Sequence, residues 1–231
     1  MSGVRRKRAD GVILALAFAA VIAAGIPACA GKEDRIREAF RGFKGRYVLY
    51  VTKSRFLLDV FDRSCAKVAS YTIAYGSAPD GGPKLHEGDN RTPEGIYRIN
   101  EILSMDADVK SPAYRILRDM NKRYFRAVEG HSKWGKEGVD LGDNAYGPRF
   151  YGLDYPNEND RRRYREARRR GILPLVNGKI PGIGYGIGIH GNNDEAGVGK
   201  RSSSGCIRMY NRDVVEIERF VQLGTPVIIV P

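Results

Sequence analysis

Gly186-Ile187-Gly188-Ile189-His190-Gly191-Asn192, followed by Ser202-Ser203-Ser204-Gly205-Cys206-Ile207-Arg208-Met209, is the most informative stretch of this 231-residue chain. A histidine closes an apolar, strand-like run. Sixteen residues later a cysteine stands among small residues, with an arginine two positions beyond it. Each part has a chemical reason. A cysteine attacks as the thiolate, so it needs a base or a cation beside it. Of the three histidines, His86 and His131 lie in loop-like sequence, whereas His190 ends a strand that would fix its position. Cys206 is therefore read as a nucleophile and His190 as its base. Gly205 and Ser204 let the backbone come close to a substrate carbonyl. Successive N–H groups there could form an oxyanion hole, worth roughly 3 kcal/mol per donor. Arg208 offers a planar fork for a carboxylate.

Around this stretch the chain reads as mainly β. Residues 47–51, 56–61 and 68–75 are β-branched or aromatic runs of strand length separated by polar turns, which predicts an antiparallel meander. Residues 76–95 are rich in Gly, Pro and Asp and read as loop; 96–99 form another short strand, and 187–190 and 227–230 the last ones. Residues 101–130 carry a helical spacing through Tyr114, Leu117, Met120 and Tyr124. Residues 160–170 are a helical run with seven arginines, read first as a solvated face and second as an anion site. Tyr155-Pro156-Asn157 marks a turn or a cleft wall. Many short strands with inserted helices predict a single mainly β domain over 47–231. Residues 31–46 precede it as a linker or short helix.

The chain is basic, with a formal net charge of +12 and 42% hydrophobic residues, enough for a core. Arg5-Arg6-Lys7-Arg8, an uncharged apolar run over 11–26 and Ala28-Cys29-Ala30 together make a secretory signal peptide over 1–30. Loss of that leader removes four basic residues and one acidic residue and leaves +9. The expected location is the periplasm or cell envelope, where nucleic acid is excluded as a partner and a carboxylate-rich wall polymer suits the charge. Contact with a membrane is expected only through lipidation of Cys29 or an uncleaved anchor. Three thiols, one of them in the leader, cannot staple a domain, and Cys65 in Asp62-Arg63-Ser64-Cys65 reads as a bystander.

His190-Gly191, the spacer and Ser203-Ser204-Gly205-Cys206-Ile207-Arg208 resemble the signature of the L,D-transpeptidase (YkuD-type) catalytic domain, His-Gly followed by Ser-His-Gly-Cys-(Ile/Val)-Arg. Gly82-Pro83-Lys84 and Gly88-Asp89-Asn90-Arg91-Thr92-Pro93-Glu94-Gly95 resemble the family's strand-connecting segment, so the likeness covers nearly all of residues 47–230. The resemblance implies a β-sandwich with the Cys-His site in a cleft. It implies attack on peptidoglycan stem tetrapeptides, release of D-alanine and transfer of the acyl group to an amine. In that reading Cys206, His190, Gly205 and Ser204 carry the reaction. The backbone N–H groups of Ser204, Gly205 and Cys206 are the oxyanion candidates. Arg208, Ser203, Gly191 and Asn192 bind substrate, without a metal or other cofactor. One position departs from the family pattern, Ser204 in place of histidine, which bears on the choice of acceptor, as does the polar run Asn192-Asn193-Asp194-Glu195.

Other readings stay open at this point. Water in place of the amine gives a hydrolase: an L,D-carboxypeptidase, an endopeptidase, or an amidase releasing a wall-linked protein. A zinc peptidase would use His86, Asp89 and His190, though without a zinc-ligand spacing. A wall-binding module would keep the fold alone. Gly186-x-Gly188-x-x-Gly191 matches a dinucleotide fingerprint in letters only, because no βαβ unit surrounds it.

Overall fold

A computed structural model describes residues 31–124 and 145–231. The leader expected over 1–30, with Cys29, and His131 lie outside the described residues. Nine strands form the body: β1 (Tyr47–Thr52), β2 (Leu57–Asp62), β3 (Lys67–Gly76), β4 (Gly95–Ser104), β5 (Arg149–Leu153), β6 (Gly188–His190), β7 (Arg201–Ser203), β8 (Ile207–Met209) and β9 (Pro226–Val230). Among the described residues four α-helices accompany them: α1 (Lys32–Ala39), α2 (Pro112–Tyr124), α3 (Glu158–Arg169) and α4 (Asn211–Glu216).

The architecture is the mainly β sandwich expected, with its two layers joined. β3 and β4, ten residues each, serve both layers. The first half of β4 pairs with β9 and its second half with β5, after a register shift between Ile99 and Glu101. β3 pairs first with β2, then with β8, and at its end with β7. Strands that bend from one sheet into the other form the corners of such a sandwich. The result is a ring, β2-β1-β9-β4-β5-β6-β8-β3, closed by β2–β3, with β7 on the outer edge of β3.

The core inside the ring follows the period of two. Leu49 and Val51 of β1, Leu58 and Val60 of β2, and Val227 and Ile229 of β9 all point inward and join Tyr97, Tyr151, Ile189 and Ile207. Val48, Tyr50 and Ile228 point the other way and are buried too, because Ile36, Ala39 and Phe40 at α1 cover them. Residues 31–46 are therefore a packed helix and its turn rather than a linker.

Several elements differ from the sequence expectation, β5 and α4 among them, which it did not anticipate. Residues 101–104 continue β4, and the helix begins only at Pro112. The strand outlasts its apolar pattern because β5, buried along its whole length, pairs with it. β7 and β8, three residues each, were not legible as strands, since backbone pairing with β3 and β6 makes them rather than side-chain propensity. Leu117 of α2 packs on Leu103 and Phe150, with Met120 beside them, as the helical spacing predicts. Asn157 is the N-cap of α3, closing a capping box with Asp160, and Tyr155 belongs to the core.

Candidate active site

Parallel pairing of β6 with β8 aligns Ile189 with Ile207 and His190 with Arg208. The two isoleucines point into the core. Alternation then sends His190 and Arg208 to the opposite face, where Cys206, one residue before β8, meets them. All three line a cleft of about 600 Å³, together with Ser203, Ser204, Lys84, Tyr146, Tyr185, Gly186, Asn193 and Asp194. The sequence-distant histidine and cysteine thus share one wall because their strands are neighbours.

His190 is held firmly. It is 3% exposed. Its ring lies 5.8 Å from Phe150, nearly parallel, and 4.8 Å from Tyr146. Its Nδ1 bonds the Gly191 carbonyl. A carbonyl only accepts, so Nδ1 carries the proton and Nε2 is the basic nitrogen. Burial drives the His190 pKa down to about 3, and the Arg208 charge adds to the effect while the Gly191 carbonyl opposes it. Burial likewise pushes the Cys206 thiol above its ordinary value, against the Gly188 amide, Arg208 and Lys84, which act the other way. The thiol donates to the Gly186 carbonyl at 3.4 Å. Both shifts favour the neutral thiol and neutral imidazole over a thiolate–imidazolium pair.

That state has a direct chemical readout. Thiolate forms only as pH rises through the raised pKa, so alkylation of Cys206 by iodoacetamide should be slow at neutral pH and climb in the alkaline range. Site-resolved peptide mass spectrometry against pH measures it, with Cys65 read separately. A rate already at its plateau near pH 6 would mean a preformed thiolate–imidazolium pair.

The loop before Cys206 is shaped by three contacts. Ser203 Oγ donates to the Cys206 carbonyl at 2.5 Å and accepts from Gly205 N at 3.1 Å. Thr92 Oγ1 donates to the Gly205 carbonyl at 2.7 Å and accepts from Gly76 N at 2.9 Å. Gly205 has φ +137°, and a Cβ there would lie 2.8 Å from the Arg91 carbonyl oxygen, so only glycine fits.

These contacts correct part of the sequence reading. The Gly205 amide is spent on Ser203, which leaves the Ser204 and Cys206 amides as oxyanion candidates. The Ser203 hydroxyl is spent on the loop itself. Gly191 and Asn192 stand behind the histidine rather than in the cleft. Gly191 is packed against Asn211 and Pro148, and fully buried Asn192 exchanges hydrogen bonds with Asn211 and donates through Nδ2 to the Met209 carbonyl. A Cβ at Gly191 would lie 2.3 Å from Asn211 Oδ1, so this close approach behind His190 requires glycine. Of the polar run 192–195, Asn193 and Asp194 face the cleft, and Glu195 accepts from Asn211 N. Ser204 is exposed on the cleft wall. Arg208 donates through Nη1 to the Ser202 carbonyl at 3.2 Å, and its buried Nε has no protein partner among the described residues.

Sequence reading missed Thr92 and Lys84 as site residues, although both stand in the glycine-rich segment it marked. Lys84 lines the cleft and is buried with Asp89 in an ion pair of 2.8 Å. Burial alone would raise Asp89, but the amides of Leu85, His86 and Arg91 and the Lys84 ammonium hold its carboxyl below the usual range. Asp89 is thus occupied in folding its loop, and His86 bonds the Glu87 carbonyl through Nδ1 at 2.7 Å. Among the described residues no cluster of three groups is set to hold a metal. Thr92→Val should cost about 1–3 kcal/mol, because it leaves Gly76 N and the Gly205 carbonyl buried without a partner. Urea unfolding measures the loss; an unchanged midpoint would show that these groups find other partners.

Residues 46–229 match the family model described as YkuD, L,D-transpeptidase catalytic domain. Similarity to YqjB of Bacillus subtilis, named as an L,D-transpeptidase, runs at 28% identity over 183 residues, 79% of this chain and 70% of that protein. YkuD of the same organism is 55% identical over 42 residues, 18% of this chain and 26% of that one. Among solved structures, Bd1075 of Bdellovibrio bacteriovorus is 25% identical with a TM-score of 0.46, covering 80% of this chain and 48% of that one. An L,D-transpeptidase of Xylanimonas cellulosilytica is 14% identical with a TM-score of 0.41, covering 80% and 61%. The chain spans about a quarter of the YkuD relatives and about half of the Bd1075 chain.

Proposed function

Since this chain belongs to the L,D-transpeptidase catalytic-domain family, an enzyme class, we propose that it forms an acyl-enzyme on Cys206 with a peptidoglycan stem peptide and passes the acyl group to an amine. The observation that carries the reading is the meeting of Cys206, His190 and Arg208 in one cleft. Arg208 lines the cleft, where its guanidinium fork suits a carboxylate of the stem peptide.

The resting protonation states set the order of events. A neutral thiol beside a neutral, strongly desolvated imidazole does not ionise spontaneously. The proton moves to His190 Nε2 as sulfur bonds to the carbonyl carbon, when the Ser204 and Cys206 amides meet the developing oxyanion. Collapse expels the C-terminal residue of the donor as an amine, protonated by the His190 imidazolium. The acceptor amine then gives its proton to the same nitrogen, attacks the thioester and releases Cys206.

The secretory pattern of the sequence over 1–30 supports work outside the cytoplasmic membrane. Hydrolysis is the second reading, because the open cleft wall around Ser204, Asn193 and Asp194 is polar and admits water as acceptor. Mass spectrometry of defined muropeptides incubated with the protein tests both. New cross-linked species or exchange of the terminal residue supports transfer, shortened stems support hydrolysis, and unchanged muropeptides would overturn both.

A further inference from the structure

The segment between α3 and the cleft carries a feature that the proposed reaction does not use. Four aliphatic side chains stand exposed within nine residues: Ile172 at 59%, Leu175 at 69%, Val176 at 50% and Ile180 at 42%. Val176 and Lys179 exchange two backbone hydrogen bonds, at 2.9 and 3.1 Å, around an Asn177-Gly178 turn with both φ values positive. This is a tight two-residue hairpin. Leu173 is buried and roots it. Both ends are tied to α3, the first by Ile172 N to the Ala167 carbonyl at 3.1 Å, the second by Tyr164 Oη to the Pro181 carbonyl at 2.8 Å. The hairpin therefore projects beside the helix, with Leu175 and Val176 before its Asn177-Gly178 turn, Ile180 after it and Ile172 at its root.

The helix supplies the charge. Arg161 and Arg168 are three and four residues from Tyr164, so they share the face that receives the hairpin's return. Both are exposed, and among the described residues neither makes an ion pair within 4.0 Å, whereas Arg165 and Arg163 are paired with Glu158 and Asp160. We infer that the hairpin 172–180 and the arginine face of α3 form one docking surface for an anionic lipid bilayer, the aliphatic tip entering the acyl boundary while the arginines meet lipid phosphates. Basic residues beside inserted aliphatic ones are what an interfacial surface needs. A soluble polyanion would satisfy the arginines and leave the aliphatic tip in water, so the lipid surface accounts for both halves. This contact is separate from the N-terminal route anticipated from the leader, and it does not depend on the reaction proposed for Cys206.

A reporter at the tip tests it in the full chain. Trp134→Phe removes the single tryptophan, and Leu175→Trp places one on the hairpin, where an exposed site tolerates it. If circular dichroism finds that variant unfolded, Val176→Trp takes its place. Tryptophan emission is followed on vesicles of equal parts phosphatidylglycerol and phosphatidylcholine. The expected result is a blue shift on these vesicles and none on phosphatidylcholine alone. Arg161→Gln and Arg168→Gln should each weaken the apparent affinity about fivefold. Because the reporter sits at the hairpin, anchoring through the N-terminus alone leaves emission unchanged, and that outcome overturns the inference even if the protein sediments with the vesicles. An equal shift on phosphatidylcholine overturns the part given to the arginines. A shift produced as well by soluble polyphosphate without lipid assigns the surface to an anionic polymer and overturns it too.

Discussion

Cys206→Ala should leave a folded protein that no longer turns over muropeptides. The structural cost is small, because the thiol makes one long hydrogen bond, to the Gly186 carbonyl at 3.4 Å, and a sulfhydryl is a weak donor. The backbone of the loop is held by Ser203, Thr92 and Gly205, none of which the substitution touches. Chemically the change removes the atom on which the acyl group would ride. Two measurements separate the effects. Thermal unfolding should stay within about 1 kcal/mol of the parent, while mass spectrometry of muropeptides reports activity. A carbapenem adds a third arm, because a thiolate opens a strained lactam as it attacks a peptide carbonyl. The parent should gain one drug mass and Cys206→Ala none. Cys65 is the control: it sits in the β2–β3 turn at φ 65° beside the α1 cluster, away from the cleft. Equal loss of activity from Cys65→Ser and Cys206→Ala, both folded, would sink a single-nucleophile mechanism.

The placement of this thiol explains which features were legible in the sequence. Strands β1, β2, β3 and β9 announce themselves because each carries apolar residues on the inner face, and β1 and β9 carry them on the outer face as well. β7 is Arg-Ser-Ser and has no such pattern; it exists because the end of β3 offers unpaired backbone groups. α1 was ambiguous as sequence, since only Ile36, Ala39 and Phe40 of a highly charged stretch are apolar, yet those three cover Val48, Tyr50 and Ile228.

Within the site, the chemistry of side chains was easier to read than the use of backbone groups. Cys206, His190 and Arg208 follow from residue type and spacing. That Gly205 donates to Ser203, and so is unavailable to an oxyanion, depends on a loop whose φ of +137° no spacing rule encodes. Thr92 shows the same limit: a threonine 113 residues from Gly205 joins it only because β3 and β4 bring the 76–95 segment under the cysteine loop. Gly191 and Asn192 were misplaced because the chain turns behind His190 at that point, and the turn is dictated by Asn211, which lies beyond β8.

His190→Gln is the second large effect, and it changes activity and stability in distinguishable ways. A positioned base contributes about 10²–10⁴-fold, and glutamine keeps a polar group of similar reach without a basic nitrogen, so acylation should fall by that factor. The ring also packs against Phe150 and Tyr146, so some neutral-pH stability is lost with it. The pH dependence identifies what remains. In the folded chain burial holds His190 at about 3, below its ordinary value of 6.5. Between those values the unfolded chain binds a proton that the folded chain refuses. The contribution of His190 to stability is thus complete above pH 6.5 and is lost as pH falls toward 3, by about 1.4 kcal/mol per pH unit. His190→Gln should therefore flatten the acid side of the melting-temperature profile in that window while lowering its neutral plateau. His86→Gln, which leaves the cleft wall intact, should change neither acylation nor the acid slope appreciably. Acylation within tenfold of the parent in folded His190→Gln would remove this residue from the role of base. If His86→Gln instead proved as damaging as His190→Gln and chelators inhibited the parent, the proton acceptor would have to be sought at a metal-bound water, and the neutral thiol–imidazole pair would lose its part in the mechanism.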